Sequence, residues 1–273
     1  LPHDKLEPFL DARLTRTEWA QPGIGAHSLS LLAVLNKTGL KPAAVGGHSF
    51  GEVTALCAGG ALTESDAMKV ARTRGELMAA AARNPGTMTA VMADIGAVKA
   101  AISETRSDVS VANHNSPKEV VVSGAVDSIA RLEEVLTQKN IRFKRLDVAT
   151  AFHSPIVKGA VGPLRDALEK ISFHAPSIPV FGNARAEAYP ADPRGMKETL
   201  SAQLGEGVQF LSMVEAMHNN GCRVFVEVGP GSVLTGLVGR ILEGKPHTAI
   251  NLDRKGKDGF SALHEGVARL CAA

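Results

Sequence analysis

At 273 residues the chain is long enough for a large core, and its 44% hydrophobic content is ordinary for one globular domain, or one with an inserted subdomain. Its 30 basic and 28 acidic side chains leave a formal charge of +2, and aromatic residues make up 4% with one Trp and one Tyr, which argues against a nucleic-acid surface or a membrane-attracting charge field. Cys57, Cys222 and Cys271 form no paired framework or metal-ligand spacing, no apolar run nears the ~20 residues that cross a bilayer, and charges interrupt the opening segment; a cytoplasmic protein with reduced thiols and no metal is expected.

The first predicted element is a helix over 21–39, with Pro22 near its start, Leu29, Leu31, Leu32 and Leu35 as apolar positions and a terminal Gly39. It feeds the apolar run Ala43-Ala44-Val45-Gly46, which is followed by Gly47-His48-Ser49-Phe50-Gly51-Glu52 and a helix-compatible stretch over 53–59. A serine between two glycines, after a strand and before a helix, reads as a nucleophile elbow: the glycines relieve a crowded turn and the hydroxyl is held out at its apex. The Phe50 amide and the positive end of the helix dipole would face a developing oxyanion. On so tight a turn the ring of His48 should point away from the serine oxygen while lining the pocket. A second helix is predicted over 65–83, capped by Ser65 and carrying Arg72 and Arg74. Arg74 lies one turn from Met78 on an alanine-rich stretch; it is either a solvated helix arginine or an inward planar fork that binds a carboxylate bidentately.

The pattern then changes. Strand-like 88–93, helix-like 97–104, strands over 109–112 and 119–123, a helix over 126–139 and a strand over 142–147 give the order βαββαβ, the signature of a ferredoxin-like unit. Beyond it come a helix over 156–171, a strand over 178–181, helices over 196–204 and 210–220, a strand over 223–228 and, after Gly229-Pro230-Gly231-Ser232, a helix through Leu242. This alternation predicts an α/β fold: an α/β-hydrolase-like large subdomain with a parallel sheet, over 1–86 and 149–273, and an inserted ferredoxin-like small subdomain over 87–148. The glycine spacing after Gly231 does not fit a dinucleotide loop.

Ser49 needs a base, since a serine hydroxyl is a weak nucleophile at neutral pH. Of the nine histidines, His3, His27, His218, His247 and His264 fall in helical or terminal segments where a solvated surface is the default. His153, in Thr150-Ala151-Phe152-His153-Ser154-Pro155, follows the last strand of the small unit, where the two subdomains should form a cleft. Its orienting partner is open between Glu227, the one acid at a later strand end, a backbone carbonyl, and Gln203 at a helix end.

Taken together, Gly47-His48-Ser49-Phe50-Gly51-Glu52, Thr73-Arg74-Gly75-Glu76-Leu77-Met78, Asn113-His114-Asn115-Ser116-Pro117, Ala151-Phe152-His153-Ser154 and Glu227-Val228-Gly229-Pro230-Gly231 resemble, in this order, the malonyl-CoA:acyl-carrier-protein transacylase family. The likeness runs from about Gln21 to the end and is strongest to acyltransferase domains of type I polyketide and polyunsaturated fatty acid synthases. It implies that Ser49 is the acylated nucleophile, His153 its base, the main-chain carbonyl of Gln203 the group that orients His153, and the Phe50 amide an oxyanion donor. It further implies that Arg74 binds the malonyl carboxylate, that His48, Met78, Phe152 and Asn115 line the substrate site, and that Phe152 marks a malonyl preference. No permanent cofactor is implied: malonyl-CoA is substrate and the phosphopantetheine of an acyl carrier protein is acceptor, with ketosynthase or other synthase domains as neighbours and neither nucleic acid nor membrane as partner. The family's initial strand and its Gly-Gln-Gly-Ser-Gln loop, whose glutamine supplies a second oxyanion donor, have no counterpart before Gln21, so a weakened oxyanion site is expected. Two rival readings are a serine hydrolase or editing thioesterase, and a non-catalytic docking module.

Overall fold

The computed structural model describes residues 12–81, 86–148 and 151–273. Helix α1 (Thr17–Lys37) begins a turn earlier than predicted, so Pro22 lies inside it rather than at its start, and Gly39 follows the end in the left-handed region at φ 82°. Short β1 (Val45–Gly46) leads through the elbow into α2 (Gly51–Ala58), and α3 (Glu64–Ala81) follows. The cap of α3 is Thr63, whose Oγ1 accepts from the Asp66 amide at 3.1 Å, and not Ser65, which lies within the helix; residues 82 and 83 of the predicted helix lie outside the described residues. Helix α3 approaches α1 so closely that a Cβ on Gly75 would stand 2.8 Å from the backbone of Thr17 and Glu18. That approach brings Arg74 of α3 to Gln21 of α1.

The middle of the chain is built as β2 (Gly86–Val91), α4 (Ile95–Thr105), β3 (Ser110–Ser116), β4 (Glu119–Ala125), α5 (Val126–Gln138) and β5 (Phe143–Arg145). The strands form one antiparallel sheet in the order β3-β4-β2-β5, which the βαββαβ order produces when each helix crosses the same face. The helix-covered face is packed by Val91, Val98, Ala101, Val120, Val122, Ile129, Leu132 and Leu136, the last three at the i, i+3, i+7 spacing of α5. The opposite face, with Met88, Ala90, Ala112 and Val121, takes Phe152 against it. Phe152 packs also on the large-subdomain core that holds Phe50 and Leu56, so the loop that carries His153 is wedged between two cores. Backbone bonds from His114 to Val208 and from Val208 to Ala112, both 2.8 Å, tie β3 to the rest of the molecule.

The predicted helix over 156–171 is a 3-10 turn (Pro155–Ala160) followed by α6 (Val161–Leu168). Then come β6 (Val180–Phe181), α7 (Pro193–Ala202), a 3-10 turn (Gln203–Gly205), α8 (Phe210–Asn219), β7 (Val224–Glu227), α9 (Val233–Ile241), β8 (Thr248–Asn251) and α10 (Gly259–Cys271). Helix α7 starts three residues early because Asp192 caps it, accepting from the Gly195 amide at 2.8 Å, with Pro193 at the first position. Among the described residues the parallel strands do not form one continuous sheet. They form two parallel ladders, β1 with β6 and β7 with β8, and α8 covers both, its Met213 and Met217 clustering with Phe181, Phe225 and Ala249. All three cysteines are free thiols. Among the described residues no group of side chains could hold a metal ion and no helix is long and apolar enough to cross a membrane.

Candidate active site

The elbow forms because β1 must turn directly into α2. A Cβ on Gly47 would fall 2.0 Å from the backbone carbon of Gly51, so only glycine allows the two limbs to pass. Ser49 at the apex has φ 51°, a left-handed conformation for a non-glycine residue. Its Oγ lies 2.7 Å from His153 Nε2.

His153, also left-handed at φ 52°, is 4% exposed. Its Nδ1 is 3.0 Å from the Glu206 carbonyl and 3.3 Å from that of Gln203. Carbonyl oxygens only accept, so Nδ1 carries the proton and Nε2 presents its lone pair to the serine hydroxyl. Burial, with the charges of Arg74 and His48 adding to it, pushes the imidazole down to about 3, so it is neutral near pH 7 and its Nε2 lone pair is free. Two carbonyls therefore do what a carboxylate does elsewhere, the Glu206 carbonyl being the nearer. Glu227 is elsewhere employed: its carboxylate caps α9, accepting from the amides of Leu234 at 3.0 Å and Thr235 at 2.7 Å.

Arg74 is 1% exposed, which removes the solvated-arginine reading. Its Nη1 donates to Gln21 Oε1 at 2.8 Å, and its Nη2 to Gln203 Oε1 at 3.0 Å and to Ser49 Oγ at 3.4 Å. Its Nε has no hydrogen-bond partner among the described residues. Burial lowers the guanidinium to about 10, with Glu52 opposing, so it stays charged near neutrality. The Gln203 side chain also donates to the Ser49 carbonyl at 3.1 Å, so this residue touches Ser49, His153 and Arg74 at once. Met78 lies behind Gln21, its sulfur accepting from Gln21 Nε2 at 3.2 Å.

The ring of His48 turns to Asn115, with Nε2 2.8 Å from Oδ1, and rests against Phe210 at 5.3 Å between centroids. Asn115 Nδ2 donates to Glu119 at 3.0 Å, and Glu119 accepts from Arg240 at 2.7 Å. Both ends of the Asn115 amide are thus engaged in a bridge from the elbow through the small sheet to α9. Phe50 buries its side chain in the core, while its N–H, at the N-terminal end of α2, makes no hydrogen bond among the described residues. His218, expected at a solvated surface, is 8% exposed and bonds the Pro246 carbonyl at 3.1 Å. His3 lies outside the described residues.

Sequence reasoning missed four residues of the site. Gln21 and Glu206 carry no local signal. Asn183 lies two residues past the end of β6, the strand paired with β1, and a polar residue just beyond the carboxyl end of a parallel strand is a signal the sequence does carry. Glu52 stands inside the elbow motif, is 0% exposed, and accepts from Tyr189 and the Asn183 amide; burial outweighs these bonds and raises its carboxyl to about 7.

The family model of the acyl transferase domain matches residues 8–268. The chain is similar to a polyunsaturated fatty acid synthase polypeptide of Thraustochytrium sp., 31% identical over 280 residues that cover 100% of this chain and 10% of the synthase. It is also similar to a polyketide biosynthesis malonyl CoA-acyl carrier protein transacylase of Bacillus subtilis, 36% identical over 236 residues, covering 84% of this chain and 80% of that one. In three dimensions it is similar to malonyl-CoA:acyl carrier protein transacylase from Xanthomonas oryzae, with a TM-score of 0.86 and 33% identity over 94% of this chain and 82% of the other. The chain spans only a tenth of the length of the synthase polypeptide.

Proposed function

The chain belongs to the acyl transferase domain family, and we propose that it moves a malonyl group from malonyl-CoA, by way of an ester on Ser49, to the phosphopantetheine thiol of an acyl carrier protein in polyketide or fatty acid synthesis. The observation that carries the reading is the buried Arg74 guanidinium 3.4 Å from Ser49 Oγ, held by two neutral glutamine amides rather than by a carboxylate. A neutral base, a serine and a desolvated cation together select an acyl group that ends in a free acid. A hydrolase of neutral esters has no use for that cation.

In the first half-reaction His153 Nε2 takes the Ser49 proton as Oγ attacks the thioester carbonyl, and the Phe50 N–H donates to the oxyanion. Collapse of the tetrahedral species breaks the carbon–sulfur bond, His153 returns the proton to the departing coenzyme A sulfur, and malonyl-serine remains. In the second half the carrier thiol gives its proton to His153 and attacks the ester, and Ser49 recovers its proton as the malonyl thioester leaves. Arg74 holds the carboxylate through both. Phe152, packed between two cores, crowds a 2-methyl branch, a discrimination of ~1–3 kcal/mol in favour of malonyl. The segments 1–86 and 149–273 form the catalytic subdomain in this reading, and 87–148 the smaller one.

Peptide mapping by mass spectrometry after brief incubation with malonyl-CoA, acetyl-CoA or methylmalonyl-CoA tests the proposal. A malonyl ester on the Ser49 peptide, passed to a carrier thiol faster than to water, is expected. An ester released mainly to water would instead favour the hydrolase reading, and no ester on Ser49 the docking module.

Carrier proteins are usually acidic, so a basic surface is the expected docking site. Of the basic residues near the junction, Arg142, Lys144 and Lys158 are exposed, whereas Arg145 is paired with Glu133 at 2.5 Å and offers less free charge. Charge reversal at Arg142 and Lys144 together is expected to raise the KM for carrier about tenfold while malonyl-CoA loading stays unchanged. An unchanged carrier KM in the double variant would move the docking surface elsewhere.

A further inference from the structure

Ser49 holds a left-handed backbone, which strains a non-glycine residue and persists only where its surroundings impose it. On the helix side the cost is offset by the Gly51 amide on the His48 carbonyl at 2.9 Å and the Glu52 amide on the Ser49 carbonyl at 3.2 Å. On the strand side it is offset by a residue distant in sequence. Asn183 is 0% exposed and follows β6, whose register pairs Phe181 with Gly46. Its Oδ1 accepts the Ser49 N–H at 2.5 Å and its Nδ2 donates to the Gly47 carbonyl at 2.5 Å. One planar side-chain amide thus makes, on either side of His48, the two bonds a neighbouring strand would make, just where β1 has turned out of reach of its ladder. The amide is itself fixed. The Asn183 backbone N–H donates to Glu52 Oε1 at 2.6 Å, the other Glu52 oxygen accepts from Tyr189, and the Tyr189 amide returns to the Val180 carbonyl at 2.7 Å.

We propose that Asn183 is a positioning residue for the nucleophile: its amide, backed by Glu52, staples Gly47 to Ser49 and holds the serine in the conformation that aims Oγ at His153. The staple also consumes the Ser49 N–H, so the Phe50 N–H is the elbow donor left for the oxyanion. The inference rests on Ser49 being the reacting group but not on malonyl being its substrate.

The test therefore reads two rates, labelling of Ser49 by a fluorophosphonate probe and acylation by malonyl-CoA, in the wild type and in Asn183→Ala and Asn183→Leu. Both variants are expected to lose ~100-fold in both rates, with the half-saturating concentration of malonyl-CoA unchanged because Arg74 and its glutamines are untouched. Asn183→Leu is the decisive variant. It has the size and branching of asparagine but neither the acceptor for the Ser49 N–H nor the donor to the Gly47 carbonyl, so a residue that merely fills space would tolerate it. Folding is checked by circular dichroism, and if the alanine variant does not fold the leucine variant alone decides. Wild-type labelling rates in a folded Asn183→Leu protein would overturn the staple. Wild-type protein that takes the probe but not malonyl would overturn the substrate reading and leave the staple to be judged on the probe alone.

Discussion

Replacing His153 by alanine is expected to slow formation of the Ser49 ester ~10²–10⁴-fold, the usual worth of a positioned general base, with little change in the concentration of malonyl-CoA that half-saturates it. The geometry gives the loss its cause. Nε2 is the acceptor 2.7 Å from the serine hydroxyl, and its lone pair is guaranteed by the carbonyls of Glu206 and Gln203 on the far side of the ring. The same burial that excludes water drives the imidazole down to about 3. Measured in Glu52→Gln, which takes out the carboxyl at about 7 behind the elbow, the acylation rate should then stay level as pH falls from 8 to 5, where an ordinary histidine would already be mostly protonated. The sign for stability follows: the unfolded chain binds the His153 proton below about 6.5 and the folded one does not, so the contribution of the neutral ring is complete above that pH and is lost as pH falls towards 3. Thermal melts should show this acid loss in the wild type and less of it in His153→Ala. An acylation rate that still halves near pH 6.5 in Glu52→Gln would mean that the ring titrates freely and that the buried neutral base is wrong.

What the sequence made legible was local. The order βαββαβ, the elbow and its flanking strand and helix depend on periodicity, glycines and caps within a few residues, and these read through directly. Boundaries slipped where tertiary contacts decide them: Gly75 allows α1 and α3 to touch, α1 extends back to Thr17, and Pro22 is carried inside the helix. The last strand and helix, β8 and α10, lie beyond the last element predicted, and the parallel strands pair as two ladders, which a string of predicted strands cannot distinguish from one sheet.

The site divides in the same way. Ser49, His153 and Arg74 come together from three distant segments, and motif order pointed to all three. The groups that hold them were not legible, because their signal is geometric. A glutamine in a helix, as at Gln21, looks like any solvated residue until a buried guanidinium lies 2.8 Å away. The Glu206 carbonyl has no side-chain signature at all. Glu227 misled for the opposite reason: an acid at a strand end invites a catalytic role, but the amides at the start of α9 were nearer claimants. Asn115 resembles a substrate contact in sequence, and in the structure its amide is divided between His48 and Glu119, which makes it part of the bridge from the elbow through the antiparallel sheet to α9.

Arg74→Ala is expected to cut malonyl loading relative to acetyl loading by ~10²–10³-fold, or ~3–4 kcal/mol, the range for a desolvated charge-assisted pair. Nη1 is taken by Gln21, and Nη2 is held by Gln203 while lying 3.4 Å from Ser49 Oγ. On a guanidinium, Nε and Nη2 share one edge, and here Nε is the nitrogen without a partner, so this edge is the one a carboxylate would grip beside the nucleophile. The alanine variant removes the grip but leaves the Ser49–His153 bond intact, so acetyl loading should persist. Arg74→Lys preserves the charge and tests the fork. A single ammonium cannot satisfy Gln21, Gln203 and two carboxylate oxygens in that geometry, and recovery of less than about a tenth of the malonyl rate is expected. Parallel rates with malonyl-CoA and acetyl-CoA for the three proteins give the answer as a ratio, which cancels any general loss of folded enzyme. If the ratio is unchanged in Arg74→Ala, the cation does not read the acid. If lysine restores it fully, charge alone suffices and the planar edge does not matter.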